Sequence, residues 1–327
     1  MTAEAQALHV PARDLPVPSS VSPEAQAFLA AGRFAAPLTM PPVDDVEGWK
    51  AFIAAGEESM APVVARADAF EATVAERSVL GVRVYVITPK GVDEADPRRY
   101  LEVHGGGLIG GAGPQCRAMG IIAAQRMQAQ TWAVDYRMPP DHLYPVPLED
   151  CVAVYRAMVA EHGPENIVVG GESAGGNLAP ALVLRARDEG LPLPAGLVLI
   201  SPELDLTESG DSFQANLGVD SVLPGSLMDV NLLYAGGHDL ADPYLSPLYG
   251  DFAKGWCPTI LTAGTRDLFL SNAVRMHRAL RRAGIEAYLH VKEAAPHSGF
   301  FGIAPEDAEI DDEIRAFART RWGATER

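Results

Sequence analysis

Residues 167–176 read Ile167-Val168-Val169-Gly170-Gly171-Glu172-Ser173-Ala174-Gly175-Gly176. A short β-branched run of this kind suits a strand buried on both faces, as in a parallel sheet. The residues that follow, 174–189, predict a helix. Between strand and helix, Gly171 and Gly175 let the chain turn sharply without a Cβ clash, which leaves the Ser173 hydroxyl projecting from the turn. The helix then directs its positive end at Ser173, where it favours developing negative charge. Gly171-Glu172-Ser173-Ala174-Gly175 fits G-x-S-x-G, a nucleophile turn when it lies between a strand and a helix. By itself the pentapeptide also fits a plain glycine-rich turn, so its reading depends on partners.

Outward from this stretch the same alternation continues. Residues 79–88 read as a strand or hairpin, and 100–104, 132–136, 196–201, 259–263 and 287–291 as strands. Helical stretches lie between them at 117–128, 148–161 and 272–283. Strand and helix in repetition predict an α/β fold: a mostly parallel central sheet flanked by helices. Two segments do not join the pattern. Residues 1–45 hold prolines at 11, 16, 18, 23, 37, 41 and 42, with one short helical piece at 23–31 behind Ser22. Residues 206–240 mix Gly, Pro, Asp and apolar residues and read as an insertion. Between the arm and the first strand, 46–70 reads as helix, with apolar residues at Val46, Trp49, Phe52 and Ile53.

His104-Gly105-Gly106-Gly107 follows the strand at 100–104. A triglycine lets backbone N–H groups approach a substrate carbonyl, and preorganised donors of this kind are worth about 3–4 kcal/mol each in catalysis. Gly105 to Gly110 also fits the dinucleotide fingerprint G-x-G-x-x-G, with Asp135 where a ribose-binding acid would stand. Against that reading, the glycine run continues through Gly113 to Pro114, so the third glycine does not open a helix.

In a sheet of this kind a Ser nucleophile is followed by an acid and then a His, each on a loop after a strand. Asp267 follows the strand at 259–263, and His297 follows the strand at 287–291. Both fall at strand C-terminal ends, the edge that carries Ser173. A carboxylate there fixes the imidazole tautomer and stabilises the imidazolium formed during attack. Glu293, close to His297 in sequence, is the rival acid. The other histidines fit less well: His290 lies inside a strand, His277 inside a helix and His238 in the insertion, and His104 braces the glycine loop.

Composition narrows the class further. The chain has 327 residues, 48% of them hydrophobic, and a formal charge of −17, and no basic stripe of the kind a nucleic-acid binder needs appears in the sequence. The first twenty residues do not read as a secretory signal, and no apolar run approaches the length of a membrane span. Cys116, Cys151 and Cys257 make neither a CxxC pair nor an even framework, which suits a reducing, cytoplasmic setting. No His, Cys or Asp cluster has metal-ligand spacing, so neither metal nor organic cofactor is expected.

With these motifs assembled, the chain resembles the bacterial hormone-sensitive-lipase-like esterases, which have the α/β-hydrolase fold. The resemblance runs from about residue 75 to the C-terminus. It rests on His104–Gly107, Asp135-Tyr136-Arg137, Tyr144-Pro145-Val146-Pro147, Gly171–Gly176, Ser201-Pro202, Asp205-Leu206, Asp242-Pro243 and Pro296-His297. It implies a serine carboxylesterase acting on short-chain esters through an acyl-enzyme, with Ser173, Asp267 and His297 as the triad. The oxyanion donors it implies are the N–H groups of Gly106, Gly107 and Ala174. It further implies a cap, here residues 1–45 with about 206–240, over a catalytic domain of 46–205 and 241–327. The arm is expected to pack, through Phe28, Leu29, Phe34, Leu38 and Met40, on the insertion around Phe213, Leu217 and Met228.

Departures from the family pattern are Leu268-Phe269-Leu270-Ser271 after the acid, Glu172 before the nucleophile, Leu108 after the glycine loop and Ser298 after His297. They touch the substrate pocket and remove no catalytic group. Two alternatives remain: amide or lactone cleavage on the same triad, and a non-catalytic receptor, against which the intact His297 argues. The expected partner is a small-molecule ester, with neither nucleic acid nor membrane, and a homodimer is the one assembly entertained.

Overall fold

The computed structural model describes residues 8–32, 39–223 and 225–322. Eight strands form one sheet: β1 (Ala72–Val79), β2 (Val82–Pro89), β3 (Arg99–Val103), β4 (Gln130–Asp135), β5 (Ile167–Glu172), β6 (Gly196–Ile200), β7 (Thr259–Gly264) and β8 (Ala287–Lys292). Their spatial order is β1-β2-β4-β3-β5-β6-β7-β8. The β1/β2 and β2/β4 pairs are antiparallel and every other pair is parallel. The stretch read as one strand or hairpin is therefore the second arm of a hairpin that turns at Leu80-Gly81, both with positive φ.

Ten helices accompany the sheet among the described residues: α1 (Pro23–Ala30), α2 (Val46–Ser59), α3 (Ala61–Asp68), α4 (Pro114–Met127), α5 (Val146–His162), α6 (Gly175–Asp188), α7 (Ser212–Ala215), α8 (Met228–Ala235), α9 (Leu270–Arg282) and α10 (Pro305–Arg321). The central strands are buried on both faces, as their continuous apolar runs require. Because side chains alternate along a strand, each covers two layers. Leu101, Val169, Leu197, Leu199 and Leu261 face α5, α6 and α9. Tyr100, Val168, Val198 and Ile260 face α4 and α10.

Two elements differ from the sequence reading. The helix expected over 46–70 is two helices broken at Met60, because Pro62 enters the first turn of α3 and cannot donate a hydrogen bond within a continuing helix. No helix was expected after residue 283, yet α10 is 17 residues long. Its buried stripe is thin, carried by Ile314, Phe317 and Ala318 among many charged residues, and so gives a weak periodic signal.

The arm also docks elsewhere than expected. Ser22 caps α1 by accepting from Ala25 N–H, and its own N–H and hydroxyl donate to the Glu306 carboxylate at 2.7 and 2.8 Å. Val21, Ala25 and Phe28 then pack on Ala294, Ala295, Phe300 and Ala304, with the Phe28 and Phe300 rings 5.5 Å apart, edge to face. The surface covered is the loop that carries His297, not the insertion. Phe213 of the insertion packs instead on Leu268 and Phe269, and Leu217 is exposed. Among the described apolar residues of the arm, Met40 meets the insertion as expected, joining Trp49, Ile109, Leu227, Val230 and Leu233. Phe34 and Leu38 lie outside the described residues.

Truncating Phe28 to Ala removes the ring that closes this contact. The expected loss is about 3 kcal/mol of stability, measured by urea unfolding, with the first opening at the arm rather than in the sheet.

Candidate active site

The parallel register sets the site. Val103 pairs with Gly171, Glu172 with Ile200, Ile200 with Thr262, and Gly264 with Lys292. The loops after β3, β5, β6, β7 and β8 therefore leave the same sheet edge, and they carry Gly106, Ser173, Ser201, Asp267 and His297 in turn.

Ser173 follows β5 directly with φ +58°, and its N–H donates to the Ile200 carbonyl at 2.9 Å. The turn is possible only because the chain is stripped of side chains on either flank. A Cβ on Gly175 would overlap the Val103 carbonyl oxygen, and one on Gly171 would overlap the backbone of Gly175. The hydroxyl of Ser173 lies 2.8 Å from His297 Nε2, and His297 Nδ1 lies 3.2 Å from Asp267 Oδ1. In the neutral imidazole this arrangement has Nδ1–H donating to the carboxylate and Nε2 free to accept from Ser173. Thus the structure brings Ser173, Asp267 and His297 together from three loops. Glu293, the rival acid, is exposed.

Electrostatics keep this pair polarised. Burial pushes the His297 pKa down, but the charge of Asp267, its hydrogen bond and the charges of Asp220 and Glu172 outweigh it, and the net shift is upward. Burial pushes Asp267 up, while His297, the Ser201 hydroxyl and the Phe269 N–H draw it down, and the net shift is downward. The Phe269 and His297 rings meet edge to face with centroids 4.9 Å apart, which covers one side of the imidazole.

The glycine loop faces Ser173 from β3. Gly106 has φ +128°, where a Cβ would overlap the Gly110 carbonyl oxygen, so only glycine fits. Among the described residues, none accepts a hydrogen bond from the N–H groups of Gly106, Gly107 or Ala174. His104 braces this loop from behind: Nδ1–H donates to the Gly105 carbonyl at 2.8 Å, and the ring stacks on Tyr136 at 4.1 Å. Tyr136 in turn donates to the His104 carbonyl. The helix after the loop, α4, opens at Pro114, beyond Gly110, which does not suit a dinucleotide fingerprint.

One group among the described residues has spacing that could hold a metal: His104, Cys116 and Asp135, with ligand atoms within 4.8 Å of one another. Its chemistry does not favour a cation. Asp135 already accepts from Arg83 at 2.5 Å and from Gly113 N–H at 3.0 Å. His104 Nδ1–H is committed to the Gly105 carbonyl, and burial pushes the Cys116 thiol up, away from thiolate.

Sequence reasoning named Ser201 only within the Ser201-Pro202 match and gave it no role, and it did not single out Asp220. Ser201 has φ +44°, and its hydroxyl accepts from Ser298 N–H at 3.0 Å, tying β6 to the loop of His297. Asp220 reaches both the acid loop and the base loop from the insertion. Nothing in the local sequence of either residue marks these contacts.

Residues 100–301 match the family described as alpha/beta hydrolase fold. An esterase of Acinetobacter venetianus is 32% identical over 58% of this chain, a match that spans 63% of its own length. An acetyl-hydrolase of Streptomyces hygroscopicus is 31% identical over 70% of this chain and 77% of its own. Among solved structures, esterase E25 superposes with a TM-score of 0.89 at 32% identity, covering 96% of this chain and 98% of that one. An esterase from the bacterial hormone-sensitive lipase family gives 0.77 at 29% identity, covering 92% and 99%.

Replacing Gly175 by Ala forces a methyl group into the Val103 carbonyl. The expected cost is about 3 kcal/mol or more, read from denaturant unfolding. Gly56→Ala, in open space on α2, should instead gain about 0.5 kcal/mol in the same measurement.

Proposed function

The chain belongs to the α/β-hydrolase family, among its hormone-sensitive-lipase-like esterases, and from that premise we propose a serine carboxylesterase acting on short-chain esters. The observation that carries the mechanism is the 2.8 Å contact between Ser173 Oγ and His297 Nε2 at the sheet edge. Ser173 is the nucleophile. His297 takes its proton, and the new Oγ–C bond forms at the ester carbonyl. Asp267 holds the imidazole by Nδ1 and stabilises the imidazolium. The oxyanion rests on the N–H groups of Gly106, Gly107 and Ala174. His297 then protonates the departing alcohol, leaving an acyl group on Ser173. A water, deprotonated by His297, attacks the acyl carbon and releases the carboxylic acid and the free Ser173 hydroxyl.

The arm and the insertion form a cap over this site, a division supported by Met40 packing with Val230 and Leu233 of α8. The cap is short, which favours small acyl groups. No helix among the described residues is long and apolar enough to cross a membrane. The three buried, unpaired cysteines favour a reducing, cytoplasmic setting.

Ser173→Ala should fold as the native chain and lose p-nitrophenyl butanoate hydrolysis by about 10⁴-fold or more, leaving only the residual effect of the oxyanion donors. Full turnover by a folded variant would rule out this nucleophile. On an acyl panel, butanoyl esters should be cleaved much faster than hexadecanoyl esters held in solution, and equal rates would refute the short-chain preference.

A further inference from the structure

Asp220 stands in the insertion, 77 residues before His297, and its side chain is fully buried. A buried carboxylate needs donors, since an ionised oxygen without them is costly. Asp220 meets four backbone N–H groups from three segments. Oδ1 accepts from Val222 at 2.9 Å and Leu223 at 3.1 Å, which folds its own loop. Oδ2 accepts from Leu268 at 2.8 Å. Both oxygens share the N–H of His297, at 3.2 and 3.3 Å. Leu268 directly follows the acid Asp267, and His297 is the base itself.

The two loops that must present Asp267 and His297 to each other are thus held by one carboxylate that belongs to neither. The loops also meet directly on the strand side of these residues, where Arg266 N–H donates to the Ala295 carbonyl at 3.0 Å and Ala294 N–H to the Thr265 hydroxyl at 2.7 Å. Beyond that point Asp267 and His297 themselves share one hydrogen bond of 3.2 Å, long for a charge-assisted pair, and Asp220 supplies the anchor at Leu268 and His297. We propose that Asp220 is a positioning residue of the esterase, tying the acid loop to the base loop from the cap insertion. The inference rests on the esterase reading above. It also makes the insertion part of the catalytic apparatus, because movement of residues 206–240 would shift the acid and the base together.

Asp220 also adds negative charge beside the imidazole. The acidic groups that act on His297 come from four segments: Asp267 after β7, Asp220 in the insertion, Glu172 at the nucleophile turn and Glu203 after β6. Asp267, Asp220 and Glu172 all favour the imidazolium. Activity needs neutral His297, so the acidic limb of kcat/KM should lie above the ordinary histidine value of 6.5. Removing one anion lowers the His297 pKa, and that limb moves to lower pH.

The test compares Asp220→Asn, Asp220→Glu and Ser173→Ala as full chains, with p-nitrophenyl butanoate as substrate. Asn matches Asp in shape but turns an amide donor toward N–H donors, and it removes the charge. Asp220→Asn should lose kcat by about 10- to 100-fold with KM changed by less than about threefold, and its acidic limb should move down. Asp220→Glu keeps the charge on a longer arm, so the limb should stay in place while kcat falls less. A folded Asp220→Asn with kcat within about twofold of native and an unmoved limb overturns the proposal. So does a loss of kcat with an unmoved limb, which a purely structural role would give. Should Asp220→Asn not fold, Asp220→Glu decides: kcat lowered beyond about twofold with KM and the limb in place supports the proposal, and a native kcat or a shifted limb overturns it. Failure of both to fold makes the carboxylate a folding determinant and overturns the positioning role. Activity retained by Ser173→Ala would instead sink the esterase reading, a separate outcome.

Discussion

Because β3, β5, β6, β7 and β8 run in parallel with Val103 opposite Gly171 and Glu172 opposite Ile200, the loops that leave them emerge side by side. Parallel pairing fixes this without help from the loops themselves, since every strand ends at the same edge in the same direction. The pairing demands strands buried on both faces, and the apolar runs of β5, β6 and β7 meet that demand. Crowding follows at the edge. The nucleophile turn passes so close to the Val103 and His104 carbonyls that residue 175 has no room for a side chain.

The same crowding explains where backbone strain collects. Among the described residues, nine non-glycine positions have positive φ, and Leu108, Ser173, Ser201, Ala294 and Ser298 of these lie in the site's loops. Each costs of order 1 kcal/mol or more, and each persists only where surrounding contacts over-determine it. Those contacts are visible: Ser173 N–H on Ile200, Ser298 N–H on the Ser201 hydroxyl, and His297 N–H on Asp220. Stability stored in the sheet is spent on a fixed geometry at its edge.

That geometry is also electrostatic. Asp267 alone would fix the imidazole tautomer, yet Asp220 and Glu172 add negative charge around the buried His297 imidazole. A site of low dielectric makes each of these charges count for more than it would in water. The arm contributes from outside, since α1 covers Ala294 to Ala304 and so backs the loop on which His297 rides.

The α/β alternation, the strand–turn–helix around Ser173, the glycine loop and the placement of Ser173, Asp267 and His297 at one sheet edge were legible in sequence. Each depends on local chemistry: β-branched runs for buried strands, glycine where no Cβ fits, and loop residues directly after strands. The thin apolar stripe of α10 and the break at Met60 were not, because a weak period and a first-turn proline leave faint signals. The docking of α1 was misjudged for a different reason. Val21, Ala25 and Phe28 announce an apolar face, but nothing in an apolar face names the surface it will cover. Asp220 is the sharpest case. Its sequence neighbours show only an acidic residue in an irregular insertion. Its four donors come from its own loop and from residues 268 and 297, and only the folded chain brings those N–H groups to one carboxylate.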